Sequence, residues 1–230
     1  MARTAALQTT QTERAYTALK GAILRGKIPE GDFLSEVEMM RKFGIGRTPY
    51  REACNRLHHE GLLEVVPRRG YRIPEMSFSI VRELFEARLL LEGIIAELAA
   101  QRASEEEISE LERLARQSFR ITPRNDYFDD IIKANTEFHL CLAHMTRNRE
   151  LTRTLTNILE RTQRLMYVEL RDSAVEAAEI VPLHRAIAKA IRKRDPAAAR
   201  EAVRRDVMLG QSATLGKAHS GWVRRIPCAG

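Results

Sequence analysis

Residues 35–63, SEVEMMRKFGIGRTPYREACNRLHHEGLL, decide the reading of the chain, because they spell two short helices joined by a tight turn. Ser35 is placed to cap the first helix, and Glu38, three residues on, to reach back and complete a capping box before the apolar Met39, Met40 and Phe43. Gly44 ends that helix. Thr48 as N-cap and Pro49 at the first helical position open the second, where a missing amide costs nothing because it would be unpaired anyway. Gly61 closes it. On a helical repeat of about 3.6 residues, Tyr50, Ala53, Cys54 and Leu57 fall on one side and Arg47, Arg51, Asn55 and Arg56 on the other. The apolar side must pack. Arginine and asparagine carry donors that match guanine and adenine edges in the major groove, and arginine also serves phosphates; the same charges equally suit any solvated helix face.

The next residues weigh toward DNA. Leu62 to Val66 and Tyr71 to Ile73 flank Pro67-Arg68-Arg69-Gly70, which predicts a hairpin with a basic tip. A hairpin behind such a helix is a wing, and it places Arg68 and Arg69 for a backbone or minor-groove contact. Upstream, Tyr16, Leu19 and Ile23 recur at helical spacing between Thr10 and Leu24, with Gly26 as the stop and Pro29 to Asp32 as a turn. Residues 10–74 therefore form a winged helix-turn-helix of three helices and a small β-hairpin.

The whole chain has 230 residues, 44% of them hydrophobic, and a formal charge of +7, enough for one large or two modest domains and suited to an anionic partner. Residues 1–75 hold 13 Lys and Arg against 9 Asp and Glu, a net +4 in a third of the length. No apolar run reaches the ~20 residues of a membrane span, and MARTAALQTTQTER lacks the apolar core of a signal peptide; the expected location is the cytoplasm, with no membrane partner. Cys54, Cys141 and Cys228 are odd in number and lack metal-type spacing, which argues for reduced thiols rather than a disulfide framework or zinc ribbon.

Behind a short linker at Pro74 to Ser77, helical periodicity takes over with almost no glycine. Helices are expected at about 78–102, 104–120, 125–145, 148–172, 175–194 and 196–215, started by Ser104, Asn125 or Asp126, Asn148 and Asp195, with Pro182 kinking or dividing the fifth near Val181. The last stretch, GKAHSGWVRRIPCAG, has no period and reads as a tail. The fold class is mainly α: the winged domain, then an all-α helical bundle over residues 78–218.

Polar residues set among apolar ones mark that bundle. Asn135 and His139 are four apart and share a helix face; His184 lies among Ile180, Val181, Leu183, Ile187 and Ile191, and Asp206 among Ala202, Val203, Val207 and Leu209. Gathered around one cavity, two imidazoles, a carboxylate and an amide oxygen would hold a divalent cation such as zinc or nickel; scattered, they would be hydrogen-bonded core groups. His144 falls on another face from His139 and is excluded, and His58 and His59 read as solvated. Arg88, in the apolar FEARLLLEGIIAELAA, needs either Glu92 or a bound anion as partner. Arg164 and Tyr167 are further candidates for the same pocket.

The order YTALKGAILRGKIPEGDFLSE, then FGIGRTPYREACNRLHHEGLLEVVPRRGYRI, resembles the N-terminal domain of the GntR superfamily of bacterial transcription regulators over residues 12–73. The resemblance implies that Arg47-Thr48-Pro49-Tyr50-Arg51-Glu52-Ala53 begins the recognition helix, that Arg47 and Arg51 contact DNA, and that Gly70 is the wing glycine. This chain departs from the family at Gly46, where serine or threonine is usual, and at Val37, Met39 and Met40. The second domain is similar to the FCD ligand-binding domain of the FadR-type subgroup, in which an Asp/Asn-x-x-x-His pair and two further histidines bind metal. Asn135, His139 and His184 match those places, and Asp206 stands where the last histidine is usual. By the same resemblance Arg88 holds a carboxylate effector beside the metal. The expected protein is a homodimeric repressor of a catabolic operon that reads an inverted-repeat operator and answers to a small organic acid. The alternatives are a metal-dependent enzyme or a direct metal sensor using His139, His184 and Asp206. No well-placed nucleophile, general base or Gly-rich phosphate loop supports the enzyme.

Overall fold

The computed structural model describes residues 10–117, 127–169 and 177–223, and at 127, 128, 168, 169, 177–179 and 216–223 the backbone alone. The chain divides into two compact units, Met1–Met76 and Ser77–Gly230.

In the first unit, α1 (Gln11–Leu24) starts at Thr10, whose hydroxyl accepts from the Glu13 amide. α2 (Glu36–Phe43) starts at Ser35, which accepts from the Glu38 amide, and ends at Gly44 in the left-handed region at φ 62°. An added Cβ at Gly44 would meet nothing within 4 Å, so glycine serves there for backbone conformation alone. α3 (Arg47–His59) begins two residues earlier than the sequence suggests. Its N-cap is Gly46, with no side-chain cap, and the Gly46 carbonyl takes the first helical bond from the Tyr50 amide at 3.0 Å. Thr48 and Pro49 are thus the second and third residues of the helix rather than its cap and first residue. Proline is tolerated at either register because the amides of the whole first turn lack helical partners.

α1 and α3 pack face to face through Ala15, Tyr16, Leu19 and Ile23 against Tyr50, Ala53, Cys54 and Leu57. Full burial of each Leu or Ile contributes about 1.5–3 kcal/mol. The buried Cys54 thiol is pushed up to about 12 by desolvation, which leaves it inert as a nucleophile. Arg56, its side chain half exposed, is held whereas Arg47 and Arg51 project: it bonds Glu13 at 3.0 Å and lies 3.6 Å over the Tyr16 ring, tying α3 to α1.

The wing is β1 (Glu64–Val66) paired antiparallel with β2 (Gly70–Arg72) in the register Glu64 to Arg72, Val65 to Tyr71 and Val66 to Gly70. Residues 32–34 add to the free side of β2 through Leu34 N to Tyr71 O at 2.8 Å and Ile73 N to Asp32 O at 2.9 Å. Gly70 sits at φ 95° with open space where a Cβ would go. Gly70→Ala should therefore cost about 1–2 kcal/mol through backbone strain rather than collision, seen as a lower melting temperature. An unchanged melt would show that the wing relaxes to a different turn.

The second unit consists, in its described residues, of α4 (Phe78–Arg102), α5 (Glu105–Ala115), α6 (Tyr127–Met145), α7 (Arg149–Glu169), α8 (Ala177–Arg192) and α9 (Pro196–Val223). Three of the expected starters are caps. Ser104 makes a full capping box with Glu107, Asn148 Oδ1 accepts from the Glu150 and Leu151 amides, and Asp195 Oδ1 accepts from the Ala198 amide. Asn125 and Asp126 lie outside the described residues. α8 is not divided at Pro182, which stands inside it. α9 runs to Val223, so part of the expected tail is helical; Cys228 and the Trp222 side chain lie outside the described residues. α4 is central, packing along α9 and also against α6, α7 and α8. No described helix is long and apolar enough to cross a membrane.

Candidate functional site

Two constellations emerge, one in each unit. In the first, the start of α3 projects Arg47 and Arg51, with side chains 71% and 60% exposed, because Tyr50 and Ala53 hold the opposite face in the core. Thr48 and Asn55 are exposed beside them, Pro49 is half-buried, and Arg68, Arg69 and Gly70 are exposed at the wing. Between wing and helix lies an open groove of about 620 Å³ whose walls include Glu36, Arg51, Arg68 and Arg69. The Arg69 guanidinium lies 4.0 Å from the centre of the Phe33 ring, and Arg68 takes a positive φ of 63° at the tip. A concave surface with cations on both banks suits a phosphate backbone. Sequence reasoning did not single out Glu36, whose two oxygens face Arg47 Nε at 2.5 Å and Arg51 Nη2 at 3.5 Å. The guanidinium of Arg47 holds its carboxyl below the usual range. His58 Nδ1 lies 3.0 Å from the Leu63 carbonyl, which gives it a structural place at the entry to β1; His59 is exposed.

In the second unit, four helices bring polar groups to one buried place. α4 supplies Arg88 and Glu92, α6 supplies Asn135 and His139, α8 supplies His184 and α9 supplies Asp206. Arg88 donates from Nε to Glu92 Oε1 at 2.7 Å, so its carboxylate partner is the internal one. Glu92 Oε2 stands 2.5 Å from His139 Nδ1, a contact across 47 positions that the sequence does not reveal. On the other side of the ring, His139 Nε2 is 3.2 Å from Asp206 Oδ2, and His184 Nε2 is 3.6 Å from Asp206 Oδ1. The His184 ring is stacked on Phe138 with centres 3.8 Å apart.

These separations suit ion pairs, yet neither ring nitrogen of His139 nor Nε2 of His184 completes a hydrogen bond. The nearby oxygens lie off the donor directions at His139 and beyond bonding range at His184. Burial opposes charging of His139, but Glu92 and Asp206 outweigh it and lift its pKa to about 9. Burial holds His184 at about 4, only partly offset by Asp206. Desolvation alone would raise Glu92, and Arg88 and His139 bring it down to about 2. Within this group two cations, Arg88 and His139, face two carboxylates, Glu92 and Asp206.

Ligand atoms of His139, His184 and Asp206 lie within 4.8 Å of one another. Two imidazoles and a carboxylate are a donor set for zinc or nickel, and Glu92, 2.5 Å from the far nitrogen of His139, stands where the outer partner of a ligating ring would. Incompletely bonded buried nitrogens facing a carboxylate fit such an ion, whose entry would displace the His139 proton. Asp206 is also part of the wall of a small cavity of about 50 Å³, with Arg88, Asn135, Phe85, Met166 and Ile180. That is room for a few water-sized groups. Arg164 and Tyr167 are buried on α7 but do not line it.

Comparison with known proteins matches both units. The model for bacterial regulatory proteins of the gntR family fits residues 11–73, and that for the FCD domain fits residues 83–207. The chain belongs to the GntR family, with an FCD domain behind its winged helix. The GntR-type relatives include the HTH-type transcriptional regulator YdhC of Bacillus subtilis (strain 168), 30% identical over 82% of this chain and 84% of that protein. The HTH-type transcriptional repressor RspR of Escherichia coli (strain K12) is 28% identical over 80% of this chain and 79% of that one. Among solved structures, E. coli McbR/YncC superposes with a TM-score of 0.77 at 21% identity, covering 91% of this chain and 99% of that one, a likeness of fold. This GntR protein is thus a DNA-binding transcription regulator, and neither its family nor these relatives are enzymes.

Proposed function

We propose that the protein is a homodimeric regulator whose operator affinity is set by a small carboxylate bound beside a divalent metal in the FCD domain, and that it represses a catabolic operon until the acid arrives. The observation that carries this reading is the His139, His184 and Asp206 group sharing Asp206 with a cavity walled by Arg88 and Asn135. In this reading His139, His184, Asp206 and Asn135 hold zinc or nickel, and the metal with Arg88 attracts the acid's carboxylate. Arg164 and Tyr167 enter only for an effector that extends along α7. At the DNA, Arg47, Arg51 and Asn55 address base edges, the first turn with Thr48 and Pro49 approaches the backbone, and Arg68 and Arg69 at the Gly70 turn grip the flanking phosphates or minor groove.

Two-fold symmetry would give an inverted repeat with one half-site per winged helix. Leu90 and Ile94 support pairing through α4: they lie four residues apart and are 61% and 45% exposed. Leu90→Glu with Ile94→Glu should halve the mass measured by light scattering at micromolar concentration. An unchanged mass would place the interface elsewhere.

A second reading, direct sensing of the metal, is favoured by the small cavity. The test for both is a thermal-shift screen of small organic acids with and without zinc. Stabilisation by an acid only in the presence of zinc, lost in Arg88→Ala, supports the first reading. Stabilisation by zinc alone with no acid response supports the second, and no response to either contradicts both.

A further inference from the structure

Glu36 is a carboxylate on the face that must approach an anionic polymer, and it is not solvated freely. It is the first residue of α2, where a negative charge is favoured by the helix dipole, and its side chain is three-quarters covered. One oxygen meets Arg47 at Nε, 2.5 Å away, and the other faces Arg51 Nη2 at 3.5 Å. The atom used on Arg47 is the informative one. A guanidinium bonded through Nε keeps its two terminal nitrogens free as a parallel fork, the geometry that pairs with guanine O6 and N7.

We propose that Glu36 is a positioning residue for sequence discrimination: it buttresses Arg47 through Nε so that the terminal fork points outward, and its charge penalises capture of Arg47 and Arg51 by phosphates at random sequence. This rests on the reading that Arg47 meets a base edge. The effect is one of specificity, since an ion pair this exposed adds little to folding, while a group that works against the wrong partner widens the gap between right and wrong sites. Removing the carboxylate lets the arginines settle on any backbone.

The experiment selects duplexes from a randomised pool with the full chain. The selected and a scrambled duplex are then titrated with wild type, Glu36→Ala, Glu36→Gln and Arg47→Ala. The ratio of the two dissociation constants should fall roughly tenfold in Glu36→Ala, with the scrambled duplex bound more tightly than by wild type. Glu36→Gln keeps an oxygen for Nε without the charge and should fall between. A wild-type ratio in Glu36→Ala together with a reduced ratio in Arg47→Ala would overturn the buttress and leave the Arg47 reading standing. Equal weakening on both duplexes in Glu36→Ala would mark a merely structural role and also overturn it. A wild-type ratio in Arg47→Ala, or a pool that enriches no sequence, would remove the reading beneath it.

Discussion

Arg47→Ala and Arg51→Ala are each expected to weaken binding to a selected operator by about tenfold to a hundredfold per half-site, and together to leave only salt-sensitive, sequence-blind binding. A bidentate arginine–guanine pair is worth about 1–3 kcal/mol of discrimination, and a dimer would lose it twice. The fold should be untouched, because both side chains are more than half exposed and neither supports the core formed by Tyr50, Ala53, Cys54 and Leu57. Fluorescence anisotropy on a labelled duplex reads the loss, and circular dichroism with a thermal melt shows that the helices remain. Arg56→Ala is the contrast. Its side chain is held by Glu13, Glu60 and the Tyr16 ring, so it should lower stability more than specificity. Operator binding by Arg47→Ala at wild-type strength would remove Arg47 from the DNA-reading face.

His139→Ala should be the most disruptive substitution in the second unit. The imidazolium stands between Glu92 and Asp206, both buried, and without it two carboxylates face Arg88 alone. Leaving a buried charge short of its partner costs about 3–5 kcal/mol, which for a unit of this size lowers the melting temperature by roughly 10 °C. His184→Ala separates the two consequences. His184 is neutral at ordinary pH, held at about 4 by burial, so its loss should abolish metal retention while costing less stability. Elemental analysis of protein purified with added zinc, with melts taken with and without chelator, measures both. Zinc retained by His139→Ala and His184→Ala at the wild-type ratio would sink the assignment of these ligands.

How legible these sites are in sequence follows the range of the interactions that make them. Caps are local chemistry: Ser104, Asn148 and Asp195 work as their sequence context suggests, and Ser35 caps α2 by accepting from the Glu38 amide, although the Glu38 side chain does not return the bond that a capping box requires. The Thr48-Pro49 signal misplaces the start of α3 because proline is accommodated throughout a first turn, so it marks a helix start without fixing its register. Pro182 signals a kink or a division, and α8 is not divided there. The glycines late in the chain do not end α9, which continues to Val223.

Helical spacing correctly sets the apolar side of α3 and groups Arg56 with Arg47 and Arg51; only the packed α1 shows that Glu13 and Tyr16 hold it. In the second unit the polar residues stand out against their apolar neighbours, which brings out His139, His184 and Asp206. Glu92 looks like a helix-local partner of Arg88, which it is, yet its second oxygen serves His139 from another helix. Such a contact is made by the fold, and no pattern within α4 or α6 encodes it.

In the proposed switch the buried site of the FCD domain governs DNA affinity, which a ligand can do only by binding two arrangements of the protein unequally. The most direct measurement is the dissociation constant of the full-length protein for its selected duplex, in zinc, across a panel of small organic acids, for wild type and His184→Ala. At least one acid should shift the wild-type constant by about fivefold or more, with no shift in the variant. A constant that no acid moves, and that stays the same when zinc is chelated, would rule out control of DNA binding by this site.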